Sequence, residues 1–408
     1  MSAPRTKPRV IVVGAGPVGI VCALALSRHD VPVTVFEREP APVKDQRAAS
    51  IHPTTLEMLD ELGILSRIMD KGLVSSKYRY HDRTTGQVVA EFDFDDMRDE
   101  FRFPFVLQYE QYKLTAAITA AYADGSDFDV RFAHEVTQLR EHADWIDIGV
   151  QSADGLHHHR ADYVIGCDGG RSTVRKLAGI AFEGFTYPEK FIKTATSFDF
   201  AQVNSRLVFR NYFSDPDEWC NLFKVRGESP SGLWRAIFPI GADENETTAL
   251  APERIEIRLQ KFFPKSGSYP VEYANVYSVG QRVAETFRKR RVLLAGDSAH
   301  VNNPIGGLGM NGGIHDAINL ADKLAQVIHT RAGEELLELY SRQRHHAAVE
   351  FVQTQTIANK RLLEERDPAV RAKNLYQLRK TAETPSAAKA YMRRAALLES
   401  LRSAAAVT

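Results

Sequence analysis

Two kinds of apolar pattern divide this chain. The first is a continuous run of branched residues that ends in glycine. Arg9–Val13 runs into Gly14, Tyr163–Ile165 into Gly166, and Val292–Ala295 into Gly296. Runs without alternation suit parallel strands buried on both faces. The second kind alternates, as in Val88, Ala90, Phe92 and Phe94, in Leu207–Tyr212 and in Trp234–Pro239. Alternation predicts antiparallel strands. A 3.6-residue period marks helices over Ile20–Ser27 and through Ile314, Ala317, Ile318, Ala321, Leu324, Ala325 and Ile328. Residues 334–364 and 386–404, dominated by Leu, Ala and Arg, also read as helical.

These patterns predict an α/β protein with a Rossmann-type, mostly parallel unit built from residues 1–75, 98–185 and 280–345. A mixed or antiparallel sheet is inserted into it, from 76–97 and 186–279, as a substrate-binding unit. Residues 346–408 form a C-terminal helical region, expected as a cap or dimer contact.

The first unit carries chemistry. Strand, Gly14-Ala-Gly16-Pro17-Val18-Gly19, helix, and a second buried run Val31–Phe36 ending in Glu37 make a βαβ unit with G-x-G-x-x-G at its turn. Gly14 permits the tight turn, Gly16 lets backbone approach a pyrophosphate, and Gly19 lets helix and strand pack closely. The helix N-terminus offers N–H groups and partial positive charge to phosphates. Pro17 costs little there, because its missing N–H has no helical partner in any case. Glu37 can accept both ribose hydroxyls of an adenosine. NAD and FAD share that half, so the unit alone leaves both open.

Two later motifs narrow the choice. One is Asp168-Gly169-Gly170-Arg171-Ser172 continuing to Arg175. The other is Gly296-Asp297-Ser298-Ala299-His300, followed by Pro304-Ile305-Gly306-Gly307-Leu308-Gly309-Met310-Asn311. A carboxylate at the end of a buried strand, Asp297, can accept hydrogen bonds from ribityl hydroxyls. A glycine loop at a helix N-terminus suits negative charge on a flavin edge.

With these three fingerprints in order, the chain resembles the single-component FAD-dependent aromatic hydroxylases of the p-hydroxybenzoate hydroxylase type. Cys167-Asp168-Gly169-Gly170 and Phe182-Glu183-Gly184-Phe185-Thr186 look most like the phenol and hydroxyphenylpropionate hydroxylase branch. The resemblance implies tightly but non-covalently bound FAD. The expected contacts are Gly14, Gly16, Pro17, Val18, Gly19, Glu37, Arg38, Arg47, Gln108, Asp168, Gly169, Asp297, Pro304, Gly307, Leu308, Gly309, Met310 and Asn311. It further implies NAD(P)H as a transient reductant, O2 as co-substrate, and hydroxylation of an aromatic ring through a flavin C4a-hydroperoxide. No second G-x-G-x-x-G occurs, so the nicotinamide has no Rossmann site of its own. Asn302 and Asn303 depart from the family's usual residues before Pro304.

The substrate residues come from no family motif. Activating a phenol needs a base or an acceptor that favours phenolate. Tyr212, Arg235 and His52 are the expected catalytic residues. Arg210 is a second candidate anion holder, His81 another acceptor, and Trp219 or Trp234 candidate walls. His300 reads as a packed histidine, Asp168 also as the cap of a short helix. His157-His158-His159 reads as a solvated hairpin arm between strands Trp145–Val150 and Arg160–Ile165, and no metal site is expected.

Composition excludes other classes. In 408 residues, 52 Lys+Arg balance 52 Asp+Glu, which argues against a whole-protein grip on nucleic acid or anionic membrane. Three scattered cysteines make no disulfide framework, fit a reducing compartment and predict a cytoplasmic enzyme. The N-terminus, with Arg5, Lys7 and Arg9 before an apolar run, superficially resembles a secretory signal. The glycines and Pro17 inside that run favour the nucleotide turn, and no integral membrane association is expected. Alternatives are a related-fold flavin reductase or halogenase, an NAD-linked dehydrogenase, or a non-catalytic flavin-binding protein. A small aromatic substrate and a homodimer are the expected partners.

Overall fold

The computed structural model describes residues 9–44, 46–122, 124–125, 128–228, 231–241, 244–330 and 332–408. Arg5 and Lys7 of the basic N-terminus lie outside the described residues. The three glycine-ending runs become adjacent parallel strands. Val10–Val13 lies between Tyr163–Gly166 and Val33–Phe36, and Val292–Leu294 lies beyond Tyr163–Gly166. The register places Val13 opposite Gly166 and Gly166 opposite Leu294. Their carboxyl ends therefore stand in line, the place where open α/β sheets bind ligands. Phe128–Arg131 extends the sheet on the other side of Val33–Phe36. Helices Pro17–Arg28 and Leu308–Ile328 pack together over it, and their buried residues join one core with the strands.

The alternating segments form a second sheet. Its strands run, edge to edge, His300–Val301, Val271–Ala284, Phe182–Thr196, Leu233–Ile240, Cys220–Val225, Arg210–Ser214, Lys77–Asp82 and Gln87–Asp93. Pairing is antiparallel except between Arg210–Ser214 and Lys77–Asp82, which run parallel. Residues 76–97 thus reach the sheet through Arg210–Ser214. Leu207 to Phe209 precede that strand rather than belong to it, and short helices at Phe200–Val203, Glu246–Ala249 and Pro252–Phe262 interrupt the expected run of strands.

The histidine run is strand. Ile146–Ser152 pairs with Gly155–Ala161, His158 facing Gly149, in a small three-stranded sheet. The expected strand Arg160–Ile165 is split at Asp162, and Tyr163 onward joins the parallel sheet.

C-terminal to Glu335 the chain is helical. Glu335–Ala347 passes through a π turn, Ala348–Gln353, into Thr354–Glu364. Pro368–Glu383, Pro385–Ala395 and Leu398–Ala405 follow. Pro368–Glu383 lies inside the expected helical region 346–408 but between the two segments, 334–364 and 386–404, whose composition read as helix. Its start is nevertheless marked, because Asp367 caps the Ala369 and Val370 N–H groups ahead of proline at the first turn. Among the described residues no helix is long and apolar enough to cross a membrane.

Candidate active site

The three fingerprints meet through their smallest residues. A Cβ on Gly14 would stand 2.5 Å from the Cys167 carbonyl oxygen, and Gly14 has φ +101°. A Cβ on Gly19 would strike the Gly14 carbonyl oxygen. Gly296, at φ +64°, packs on the Val18 side chain, and so does Gly313. The turns that carry Gly14, Asp168 and Asp297 therefore lie together at the strand ends. Gly16 differs from its neighbours, for a Cβ there would meet no protein atom within 4 Å. Its surroundings leave room for a close-lying phosphate.

The carboxylates of this region are held by backbone. Glu37 Oε2 accepts from Ala15 N–H at 2.6 Å and Oε1 from Glu39 N–H at 3.0 Å, bracing the glycine turn. Asp168 accepts from Ser172 Oγ and from the Thr173 and Val174 N–H groups. Its carboxylate caps the following helix, the structural role anticipated for it. Gly169 next to it has φ +80°. Asp297 is more open: its side chain is 43% exposed, and Arg47 Nη1 lies 3.8 Å from Oδ2. Arg38 is exposed and pairs with Glu39.

The glycine loop is tied to the strand Ser50–Ile51. Asn311 Oδ1 accepts from His52 N–H at 2.9 Å, while its Nδ2 donates to Ser50 O and Gly307 O. Gly307, at φ +73°, caps the helix that starts at Leu308, and its N–H donates to Pro304 O. Leu308 and Met310 are buried, and Gly309 lies against Asn302. Ser50 Oγ donates to Gln108 Oε1, whereas the buried Gln108 Nε2 has no partner among the described residues. An orphaned buried amide donor costs about 1–3 kcal/mol. Together with the open Gly16 cradle it fits a polar ligand running from Gly16 past Arg47 and Asp297 to the glycine loop, as FAD would.

Beside this loop lies a small cavity of about 20 Å³. Gly306, Leu308 and His52 line it on the nucleotide side, and Tyr78, Tyr80, Arg210 and Tyr212 on the sheet side. Tyr391 and Ala395 of the C-terminal helices close it. Arg210 Nη2 donates to Tyr212 Oη at 3.2 Å, and Tyr80 and Tyr391 share a hydrogen bond of 3.0 Å. The Arg210 guanidinium lies over the Tyr78 ring, its Nε has no partner, and among the described residues no carboxylate pairs with it. His52 Nδ1 lies 3.0 Å from Ala395 O. A carbonyl accepts only, so Nδ1 carries the proton and Nε2 is left as a buried acceptor without a partner. Burial, with Arg210 nearby, pulls the His52 pKa down to about 3 and keeps the ring neutral.

The other substrate candidates lie elsewhere. Arg235 is buried on the same sheet face but outside this cavity, with Nη2 donating to Gln46 Oε1 at 2.5 Å. Trp234, the next residue along its strand, points to the opposite face, where its Nε1 donates to Asp199. Trp219 packs edge-on against Phe191. His81 stacks on Phe213 and meets Asn211 Oδ1.

Sequence reasoning missed the buried network behind the Gly296 turn. Asp316 Oδ2 accepts from Gly296 N–H at 3.0 Å and lies 2.9 Å from His300 Nε2, while Oδ1 accepts from Arg344 Nε at 2.6 Å. An acid between Ile314 and Ala317 in an otherwise apolar helix stripe was its signal. Tyr391 and Ala395, on a distant helix, left none.

Aligned strand ends beside an aromatic-lined cavity, taken with the similarities that follow, identify an FAD-dependent aromatic-ring monooxygenase. The FAD binding domain family matches residues 7–355, and the chain belongs to that family. It is 32% identical over 373 residues to para-nitrophenol 4-monooxygenase of Pseudomonas sp. strain WBC-3, covering 91% of each. It is 30% identical to 6-hydroxy-3-succinoylpyridine 3-monooxygenase of Pseudomonas putida S16, covering 89% of this chain and 90% of that one. The crystal structure of p-nitrophenol 4-monooxygenase PnpA from Pseudomonas putida DLL-E4 superposes with a TM-score of 0.90 at 30% identity, over 97% of this chain and 98% of that one.

Proposed function

We propose that the protein uses NAD(P)H and O2 to hydroxylate a phenolic or related heteroaromatic small molecule, held between the glycine loop and the tyrosine-lined sheet. The observation that carries this reading is the shared cavity, in which Gly306 and Leu308 face Arg210 and Tyr212. FAD bound there would supply the redox chemistry, which oxidises NAD(P)H by two electrons and reduces O2 so that one oxygen atom enters the ring and the other leaves as water.

The chain's own residues do the rest. Arg210, a buried cation with no carboxylate partner among the described residues, favours the phenolate over the phenol. Tyr212 Oη holds Arg210 Nη2 and stands beside the substrate oxygen. His52 Nε2, an acceptor at any pH well above 3, takes a hydrogen bond from the phenol as it enters. Tyr78, Tyr80 and Leu308 exclude water from the reacting face. At about 20 Å³ the cavity has room for one water, so a ring enters only as these side chains turn aside. Residues 76–97 and 186–279 act as the substrate unit, a division supported by their common sheet.

The test is NAD(P)H oxidation by the FAD-loaded protein across phenols and pyridinols, with product followed by mass spectrometry. Faster oxidation with stoichiometric hydroxylated product is expected for a subset. A correctly folded, flavin-loaded protein that no aromatic stimulates would overturn the reading.

A further inference from the structure

The cavity beside the glycine loop is too small for a ring, so one of its walls must move. Most of them are fixed. Tyr78, Tyr80, Phe94 and Tyr212 are buried on the sheet side. Tyr80 and Tyr212 stack at 4.9 Å between centroids, and their strands pair in the register that sets these two side by side. Leu308 is buried against Val352 and Leu397. His52 is held by Ala395 O, and Arg210 by Tyr212. Close-packed side chains of this kind give way only once space opens beside them.

Tyr391 differs. Among the described residues it is the one aromatic side chain around the cavity that is not buried. Half-buried Gln355 and Ala395 also line the cavity from the C-terminal helices, which makes this its solvent side. The Tyr391 ring rests on Phe92 at 4.5 Å, tilted by 15°. Its hydroxyl shares one hydrogen bond with Tyr80, which water can replace when the side chain turns outward.

The helix that carries it, Pro385–Ala395, is pinned along its length. Lys389 pairs with Asp99 at 2.8 Å and Arg393 with Glu100 at 2.7 Å. Arg394 Nε donates to Gln355 Oε1 at 3.0 Å, tying this helix to Thr354–Glu364. Just past its end, Ala396 O accepts from Thr54 Oγ1 at 2.7 Å. A helix tied at so many points leaves the Tyr391 side chain, rather than the backbone, as the part that swings between rotamers.

We propose that Tyr391 is the door of the chamber and its specificity-determining residue. It turns outward to admit a ring, closes behind it, and limits the chamber to a single ring. This inference rests on the proposed function, since it places the reacting ring in the same cavity.

The test compares phenol with 2-naphthol and 4-hydroxybiphenyl, which extend the ring sideways and lengthwise. Dissociation constants and association rates are read from the flavin difference spectrum of the oxidised holoenzyme, by titration and by stopped flow. In an unrestricted apolar site the second ring tightens binding about tenfold. The wild-type protein is expected to bind the two-ring phenols no more tightly than phenol. Tyr391→Ala is expected to bind them about tenfold more tightly than phenol, and Tyr391→Leu, which keeps an apolar helix face, to move the same way. Tyr391→Phe retains the wall but loses the Tyr80 bond. It should keep the wild-type order of affinities while associating with phenol about threefold faster. A wild-type protein that already binds the two-ring phenols tenfold more tightly overturns the proposal, whether or not Tyr391→Ala folds. So does a wild-type association rate in Tyr391→Phe, or an order of affinities unchanged in both shortened variants. Phenol binding with no such shift sinks this inference alone, whereas a flavin spectrum that no phenol perturbs sinks the proposed function with it.

Discussion

Arg344 Nε donates to Asp316 Oδ1 at 2.6 Å with both side chains fully buried, fixing the helix Leu308–Ile328 against the helix that begins at Glu335. The opposite oxygen of the same carboxylate receives Gly296 N–H and His300, so the Gly296–Asp297 turn inherits its position from this pair. Asp316→Ala strands a buried guanidinium. It should cost about 3–5 kcal/mol in denaturant unfolding and lower FAD retention on gel filtration. Asp316→Asn keeps the shape and should lose less.

Gly14 and Gly16 should separate folding from nucleotide binding. Gly14→Ala meets the Cys167 carbonyl in a left-handed backbone, so it should unfold at lower denaturant with or without FAD. Gly16→Ala meets no protein atom, and the apoprotein should unfold as the wild type does. Its FAD dissociation constant should nevertheless rise at least tenfold, the equivalent of about 1.4 kcal/mol. Fluorescence titration of the two apoproteins with FAD checks both outcomes.

Tyr212→Phe removes the oxygen that Arg210 Nη2 bonds. The loss of one hydrogen bond to a charged group, about 1.5–3 kcal/mol, should lower kcat/KM roughly ten- to hundredfold. Product formed per NAD(P)H consumed should fall as well. Wild-type turnover and coupling in this variant would remove Tyr212 from the site.

Acid should destabilise the fold before most carboxylates titrate. Burial lowers the pKa of His52 and His315 to about 3 and that of His81 to about 4, from an ordinary 6.5. The unfolded chain binds these protons first, so the stability the neutral rings contribute is complete above about 6.5 and is lost as pH falls towards 3. Each histidine adds a slope of about 1.4 kcal/mol per pH unit in that window. Urea unfolding between pH 7 and 5 should show a falling midpoint. His315→Gln, which keeps a hydrogen-bonding group near Thr55, should flatten the decline.

The parallel strands and glycine turns were legible because their signals are local: Val10–Val13 cannot half-face water, and Gly14 sits where a side chain cannot. Tyr212 and His52 were legible as residue types but not as neighbours, because they meet across a gap that no periodicity spans. Arg235 and Trp234 show the limit of reading one strand alone. Alternation separates them onto opposite faces, and only pairing with Phe223 and Ala195 tells which face meets the cavity. Tyr391 and Asp316 depend on partners hundreds or tens of residues away; an acid within an apolar stripe marks Asp316, but nothing at Tyr391 gives warning of its place.

The alignment of Val13, Gly166 and Leu294 has a kinetic consequence. Strand ends that far apart in the chain come together only after nearly three hundred residues have been synthesised and the intervening sheet has closed its long loops, which is slow to form. A nascent chain shorter than that lacks the third of the three aligned strand ends. Yellow colour would thus be a late signal of completed assembly, and a nucleotide that binds the native state alone shifts the balance toward finished molecules.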